Sequence, residues 1–315
     1  MIKVENLIKK YGNHVAVDNL SFEVKKGQIF GFLGPNGAGK TTTMNIMTGY
    51  IAATDGTVEI NGYDILTKPE EAKKCIGYLP EIPPLYSDMT VMEYLRFVAE
   101  LKNVPKEERS GQIQEVMQMT EILDVEGRLI KNLSKGYKQR VGLAQAIIGY
   151  PDVIILDEPM VGLDPKQIIE IRALIKKLSK NHTIILSSHI LSEVSTLCDH
   201  IMIISHGKLM ASDTPQGLQK LMEKSIEIEI VAMGSKEKAE EILSKIEHIQ
   251  SYTCETSEED NVKINVITEA NMDIRKELSV ALTGGGVPVL SMNKMEKSLE
   301  DIFLQLTEAS EQEEE

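Results

Sequence analysis

The chain has 315 residues, enough for one or two domains with ample core, and its 42% hydrophobic and 26% charged content is that of an ordinary globular chain. A net charge of −14 argues against a protein built to grip nucleic acid, which would present a basic face. Three unpatterned cysteines, Cys75, Cys198 and Cys254, suggest a reducing compartment and no structural disulfide.

The first 80 residues read as strands and glycine turns around one loop. Met1-Ile2-Lys3-Val4 enters a strand directly, so no secretory signal is expected. Gln28 to Leu33 reads as a short buried strand, and Thr42 to Met47 opens a helix. Between them, Gly34-Pro35-Asn36-Gly37-Ala38-Gly39-Lys40-Thr41 fits the G-x-x-x-x-G-K-[ST] phosphate loop. Glycines let the backbone turn and aim several N–H groups at one point, and the helix start adds its positive dipole end. Lys40 supplies a charge for the outer phosphates, and the Thr41 hydroxyl suits Mg²⁺. Gly37-x-Gly39 lies inside this loop and carries no separate dinucleotide reading. Thr54-Asp55-Gly56 and Asn61-Gly62 read as hairpin turns.

From Pro83-Pro84 to about Tyr150 the chain turns helical, with helical spacing over Met92 to Ala99 and Ile113 to Met117. Leu133-Ser134-Lys135-Gly136-Tyr137 opens another helix, running through Gln145 and Ile148. A serine at a helix start with a glycine behind it is a second anion site.

Strand–helix alternation returns over 151–213, the mark of a parallel sheet. Pro151 to Leu156 is an apolar strand, and Asp157-Glu158 sit at its carboxyl end, where open α/β sheets place ligands. Asp157 can hold Mg²⁺ through water, and Glu158 can orient and deprotonate an attacking water. A Gly162-Leu163-Asp164-Pro165 turn follows. Thr183 to Ser188 is another buried strand, and His189 at its end can contact a γ-phosphate while holding Glu158 and the water. His200 and His206, with Cys198, lack zinc spacing; His206-Gly207 reads as a hairpin turn. Thr214-Pro215-Gln216 caps a helix to about Lys224.

A second unit starts near Ser225. Ile226 to Ile230 alternates as a strand; a helix is expected near 236–247, strands near 262–267 and 287–291, and helices near 273–282 and 298–306. This alternation suggests a small, ferredoxin-like α/β domain. Gly284-Gly285-Gly286 reads as a helix stop, and the tail ending in Glu313-Glu314-Glu315 as solvated.

Leu133 to Tyr137, followed by Gln139-Arg140, resembles the Leu-Ser-Gly-Gly-Gln signature of ATP-binding cassette (ABC) proteins. The phosphate loop, Asp157-Glu158, the Gly162-Leu163-Asp164 loop and His189 follow the cassette order over about residues 1–220. The resemblance implies an α/β P-loop NTPase cassette, with a parallel-sheet core, an antiparallel β part and a helical subdomain at about 83–150. A small C-terminal α/β domain at 225–307 and an acidic tail at 308–315 would complete the chain.

The resemblance also implies roles. Gly34, Pro35, Asn36, Gly37, Ala38, Gly39, Lys40, Thr41 and Thr42 would hold ATP, and Tyr11 would stack on adenine. Thr41, Asp157 and Glu81 would take the Mg²⁺ positions. Lys40, Glu158 and His189 would act on the bound phosphate, while Ser134 and Gly136 would meet the γ-phosphate held by a second cassette. Glu81 stands where the family usually has glutamine, Lys135 replaces a glycine and Tyr137 replaces the signature glutamine; Met160 stands where a small hydroxyl residue is frequent.

The expected partners are a second cassette, identical or paralogous, and a separate multi-pass membrane subunit whose coupling helix meets Pro83, Pro84, Leu85 and Tyr86. No nucleic acid is expected. No apolar run approaches the ~20 residues of a bilayer span, so the chain would sit at the cytoplasmic face of the membrane. The C-terminal unit, ending in Ser298 to Phe303, looks like the appendage of bacterial type-two exporter ATPases for drugs or antibiotics, which favours export. The competing reading is a non-transport ABC switch on ribosome or DNA, against which stand the single phosphate loop and the lack of sustained heptads. A simple P-loop kinase would leave Ser134 to Gly136 and His189 unexplained.

Overall fold

The computed structural model describes residues 1–221, 226–256, 261–269 and 272–295. The chain divides into two compact units, Met1–Pro215 and a second beginning at Gln216.

In the first unit, β1 (Ile2–Tyr11) and β2 (His14–Val24) form a hairpin, and β3 (Ile29–Leu33) leads through the glycine loop into α1 (Lys40–Met47). Next come β4 (Asp55–Ile60), β5 (Tyr63–Asp64), α2 (Pro69–Lys74) and β6 (Ile76–Leu79). Three helices follow: α3 (Val91–Leu101), α4 (Lys106–Met119) and α5 (Lys135–Ile147). The chain then alternates through β7 (Val153–Leu156), α6 (Pro165–Leu178), β8 (Thr183–Ser188), α7 (Leu191–Leu197), β9 (His200–Ser205) and β10 (Lys208–Asp213). At the unit boundary, α8 spans Pro215–Leu221. Thr214 precedes it as expected; its proposed end near Lys224 lies outside the described residues.

Six strands form the central sheet in the order β10-β9-β3-β8-β7-β6, parallel except for the β9–β10 hairpin. Every residue of β3, β7 and β8 is buried. That is why these strands read as continuous apolar runs: a parallel sheet is covered on both faces. Alternate residues Phe30 and Phe32, Val153 and Ile155, and Met202 and Ile204 point to one face. There they join Met44, Ile46 and Met47 of α1 and the inner residues of the antiparallel sheet β2-β1-β4-β5. One core thus joins the two sheets and α1, the helix that follows the glycine loop.

The Asn61-Gly62 and His206-Gly207 turns are present, each with positive φ at both residues. Thr54-Asp55-Gly56 is not a hairpin. Asp55 and Gly56 begin β4, which pairs with β1 across a register shift between Glu5 and Ile8. Gly56 is needed there because its φ is 88° and a Cβ would lie 2.4 Å from the Asn6 carbonyl oxygen. Asp-Gly chemistry serves a bulge as well as a turn.

The helical region is held by local chemistry. Thr90 and Glu93 form a capping box at α3, with the Glu93 carboxylate accepting the Thr90 N–H at 2.8 Å. Val91, Tyr94, Leu95 and Val98 bury one face of that helix. At its far end the Lys102 ammonium donates to the carbonyls of Gln145, Ala146 and Ile148, at 2.8, 3.0 and 2.7 Å, and so caps α5.

The second unit runs β11 (Glu227–Met233), α9 (Lys236–Leu243), β12 (Ile249–Thr256), β13 (Asn261–Thr268), α10 (Arg275–Gly284) and β14 (Val289–Met295). Its sheet order, β12-β13-β11-β14 with all neighbours antiparallel, is the split βαβ arrangement of ferredoxin-like folds. The reading from sequence lacks β12. That strand lies at the sheet edge, and Cys254 is its one buried residue, so it shows little apolar alternation. The expected helix at 298–306 and the tail lie outside the described residues.

Candidate functional site

Four neighbouring strands, β3, β8, β7 and β6, end at one edge of the sheet. The loops that follow them carry Gly34 to Lys40, His189, Asp157-Glu158 and Glu81 respectively. A cleft of about 470 Å³ lies at this edge. Pro35, Asn36, Gly37, Ala38, Gly39, Lys40, Thr41 and Thr42 line it, together with Tyr11, Glu81, Glu158 and His189. His14, Ala16 and Val161 complete the lining and were not legible in the motifs.

The loop's shape follows from its glycines. Gly39 has φ 100°, and a Cβ there would lie 2.5 Å from the Ala16 carbonyl oxygen. Gly34 stands behind the lining and contributes its carbonyl. The buried Lys40 ammonium donates to the Gly34 oxygen at 2.7 Å and the Pro35 oxygen at 3.2 Å, and lies 3.5 Å from Glu158 Oε1.

The acidic pair is held by β8. Ser187 is fully buried; its hydroxyl donates to Asp157 Oδ1 at 2.5 Å and accepts the Glu158 N–H at 2.8 Å. Glu158 takes φ 47°, an uncommon conformation for a glutamate, and its carboxylate turns toward Lys40 on one side and His189 Nδ1, at 3.0 Å, on the other. Asp157 is 1% exposed and sits behind Thr41, whose hydroxyl lies 3.4 Å from Asp157 Oδ1. Burial pushes the Asp157 carboxyl above its ordinary range, and the Glu158 charge adds to this; hydrogen bonds from Ser187 and Thr41 and the charge of Lys40 pull it back.

These groups suit phosphate chemistry. Loop amides and a lysine line the cleft beside a carboxylate that meets a histidine, groups of the kind that bind and act on phosphate. Among the described residues no three His, Cys, Asp or Glu side chains cluster as a metal site. The Thr41 and Asp157 oxygens do fit Mg²⁺, which takes one or two protein oxygens and completes its shell with phosphate and water. Glu81 lines the cleft but makes no hydrogen bond or ion pair with a described residue. Tyr11 is half exposed, with the Lys9 ammonium 5.0 Å from its ring centre.

Ser134 and Gly136 are not in this cleft. They line a second one of about 320 Å³ with Glu121, Tyr137, Arg140, Gln167 and Glu170. Ser134 caps α5, accepting the Tyr137 N–H at 3.4 Å, while the Tyr137 hydroxyl is drawn off to Asp124 at 2.7 Å.

The ABC transporter family model matches residues 17–161. The bacitracin transport ATP-binding protein BcrA of Bacillus licheniformis is 36% identical over 308 residues, covering 97% of each chain. This chain belongs to the ABC transporter ATP-binding proteins. The linearmycin resistance ATP-binding protein LnrL of Bacillus subtilis (strain 168) is 31% identical over 98% of each chain. A solved dimeric cassette, MJ0796 in a post-hydrolysis state with ADP and phosphate, is 26% identical, with TM-score 0.62 over 68% of this chain and 99% of that one.

The chain is therefore an ABC ATPase, the ATP-binding subunit of a transporter. The near-full-length matches set aside both the ribosome or DNA switch and the P-loop kinase. Among the described residues no helix is long and apolar enough to cross a membrane.

The raised Asp157 pKa has a measurable consequence. A carboxyl group with its folded pKa above the unfolded value of 3.8 stabilises the fold below that value and loses the contribution as pH rises through the folded pKa. Ionised Asp157 is thus a cost to the fold that Mg²⁺ would offset. Asp157→Asn keeps an oxygen for Ser187 and Thr41 and removes the buried charge. It is expected to raise the Tm of the nucleotide-free protein at pH 7 while abolishing ATP turnover. Calorimetry paired with a phosphate-release assay checks both.

Proposed function

We propose that this chain is the motor subunit of an exporter, working as one of two cassettes that sandwich ATP between them. One observation carries the reading: a single chain holds Lys40 and Glu158 in one cleft and Ser134 and Gly136 in another. Two copies set head to tail would bring each cleft against its complement. The dimeric state of MJ0796 supports the pairing of two copies.

In this account the loop from Gly34 to Thr42 binds the phosphates and Tyr11 stacks on adenine. Thr41 and Asp157 hold Mg²⁺, which neutralises phosphate charge; Glu81 is a weaker candidate for the same ion. Glu158 takes a proton from the attacking water, and His189 fixes the Glu158 carboxylate and reaches the γ-phosphate. Ser134 and the amide of Gly136 meet the γ-phosphate bound by the other copy. ATP drives closure through its higher affinity for the closed pair. The exposed Ile82 and Tyr86, beside Pro83 and Pro84, suit a docking groove for a separate multi-pass membrane subunit at the cytoplasmic face. The second unit, expected from 225 to 307 and beginning in the structure at Gln216, is an accessory domain in this reading.

The relatives named for bacitracin transport and linearmycin resistance support an antibiotic as the cargo class. Affinity capture from a detergent extract tests the assembly. A multi-pass membrane protein in stoichiometric yield is expected; ribosomal proteins in its place would refute the reading.

A further inference from the structure

β8 ends in Ser187 and Ser188, and His189 follows directly, so three consecutive polar residues stand at this edge of the sheet. Ser187 ties down Asp157 and Glu158, and His189 meets Glu158. Ser188 lies between them, fully buried. Its hydroxyl donates to Glu193 Oε2 at 2.7 Å and accepts the Ile190 N–H at 3.0 Å. Glu193 is 4% exposed, in the first turn of α7. A carboxylate is rarely this buried unless a partner holds it, and here that partner is Ser188.

We propose that Glu193 is a positioning residue for ATP hydrolysis, acting through Ser188 to set the backbone that aims His189 at Glu158. A hydroxyl has one hydrogen and two lone pairs. An acceptor-only carboxylate fixes where that hydrogen points, which leaves a lone pair facing the Ile190 N–H. The clamp therefore holds the residues on both sides of His189. The His189 ring itself is far less buried than the carboxylate it meets, with side-chain exposures of 41% and 8%. It has little packing to hold it, so its direction depends on its backbone. Glu193 is not among the residues that line the cleft; its carboxylate accepts from Ser188, and its backbone N–H donates to the Ile190 carbonyl at 3.2 Å.

The inference rests on the assignment of Glu158 and His189 above, and the tests separate the two. Glu193→Ala is expected to lower kcat by ~10–100-fold with the KM for ATP nearly unchanged, the size of a small misplacement of a reacting group. Glu193→Gln, which can still accept the Ser188 hydrogen bond, should recover most of the lost rate. Ser188→Ala should match Glu193→Ala, and the double variant should be no slower than either single one. Multiplying losses in the double variant, or a Gln variant as slow as the Ala variant, would overturn the proposal. Should Glu158→Gln and His189→Ala retain turnover, the assignment itself fails. Should they lose it while Glu193→Ala keeps it, only the positioning role fails.

Discussion

Glu158→Gln is expected to cut ATP turnover by ~10²–10⁴-fold while ATP still binds, the loss typical of removing a general base. The amide has the shape of the carboxylate and keeps an oxygen toward His189 Nδ1, now 3.0 Å from Oε2. The Ser187 bond to the backbone N–H at position 158 is untouched, so the φ 47° conformation should survive. What is lost is the ability to take a proton from water. The substitution also removes the charge 3.5 Å from Lys40, which frees that ammonium for phosphate. ATP affinity should therefore hold or rise. Single-turnover phosphate release measures the first effect and equilibrium nucleotide titration the second. Near-normal release would remove Glu158 from its role.

Lys40→Ala should act on binding itself, weakening ATP affinity by about 10²-fold, as expected when one partner of a buried charge-assisted contact is deleted. Lys40 is 6% exposed and now satisfied by two loop carbonyls and Glu158. The Gly34 carbonyl would lose its Lys40 donor, the Pro35 carbonyl would keep the Ala38 N–H, and the phosphates would lose their nearest cation. Titration with a fluorescent ATP analogue reads the change; an unaltered affinity would count heavily against the loop as the phosphate site.

The cleft was legible because each of its groups follows an apolar run. Gly34 to Thr41, Asp157-Glu158 and His189 are local motifs at the ends of buried strands, and the parallel sheet brings those ends to one edge. The residues that hold them were not. Ser187 reads only as a strand residue, and Glu193 falls in no motif; their bonds exist only because β8 lies beside β7 and α7 folds back on its end. His14 reaches the cleft only through its pairing with Tyr11 across the first hairpin. Gly56 was misread because the same dipeptide chemistry suits a turn and a bulge. Tyr137 departs from the family signature, and Asp124, which accepts its hydroxyl, lies outside any motif.

Neither cleft of one chain is expected to complete the chemistry without a second copy. Sedimentation of the purified Glu158→Gln protein with and without Mg-ATP tests it most directly, because slow hydrolysis should trap the closed pair. Twice the monomer mass is expected with Mg-ATP, returning to the monomer when Ser134→Arg is added. A protein that saturates with Mg-ATP and still sediments as a monomer across micromolar concentrations would contradict the claim.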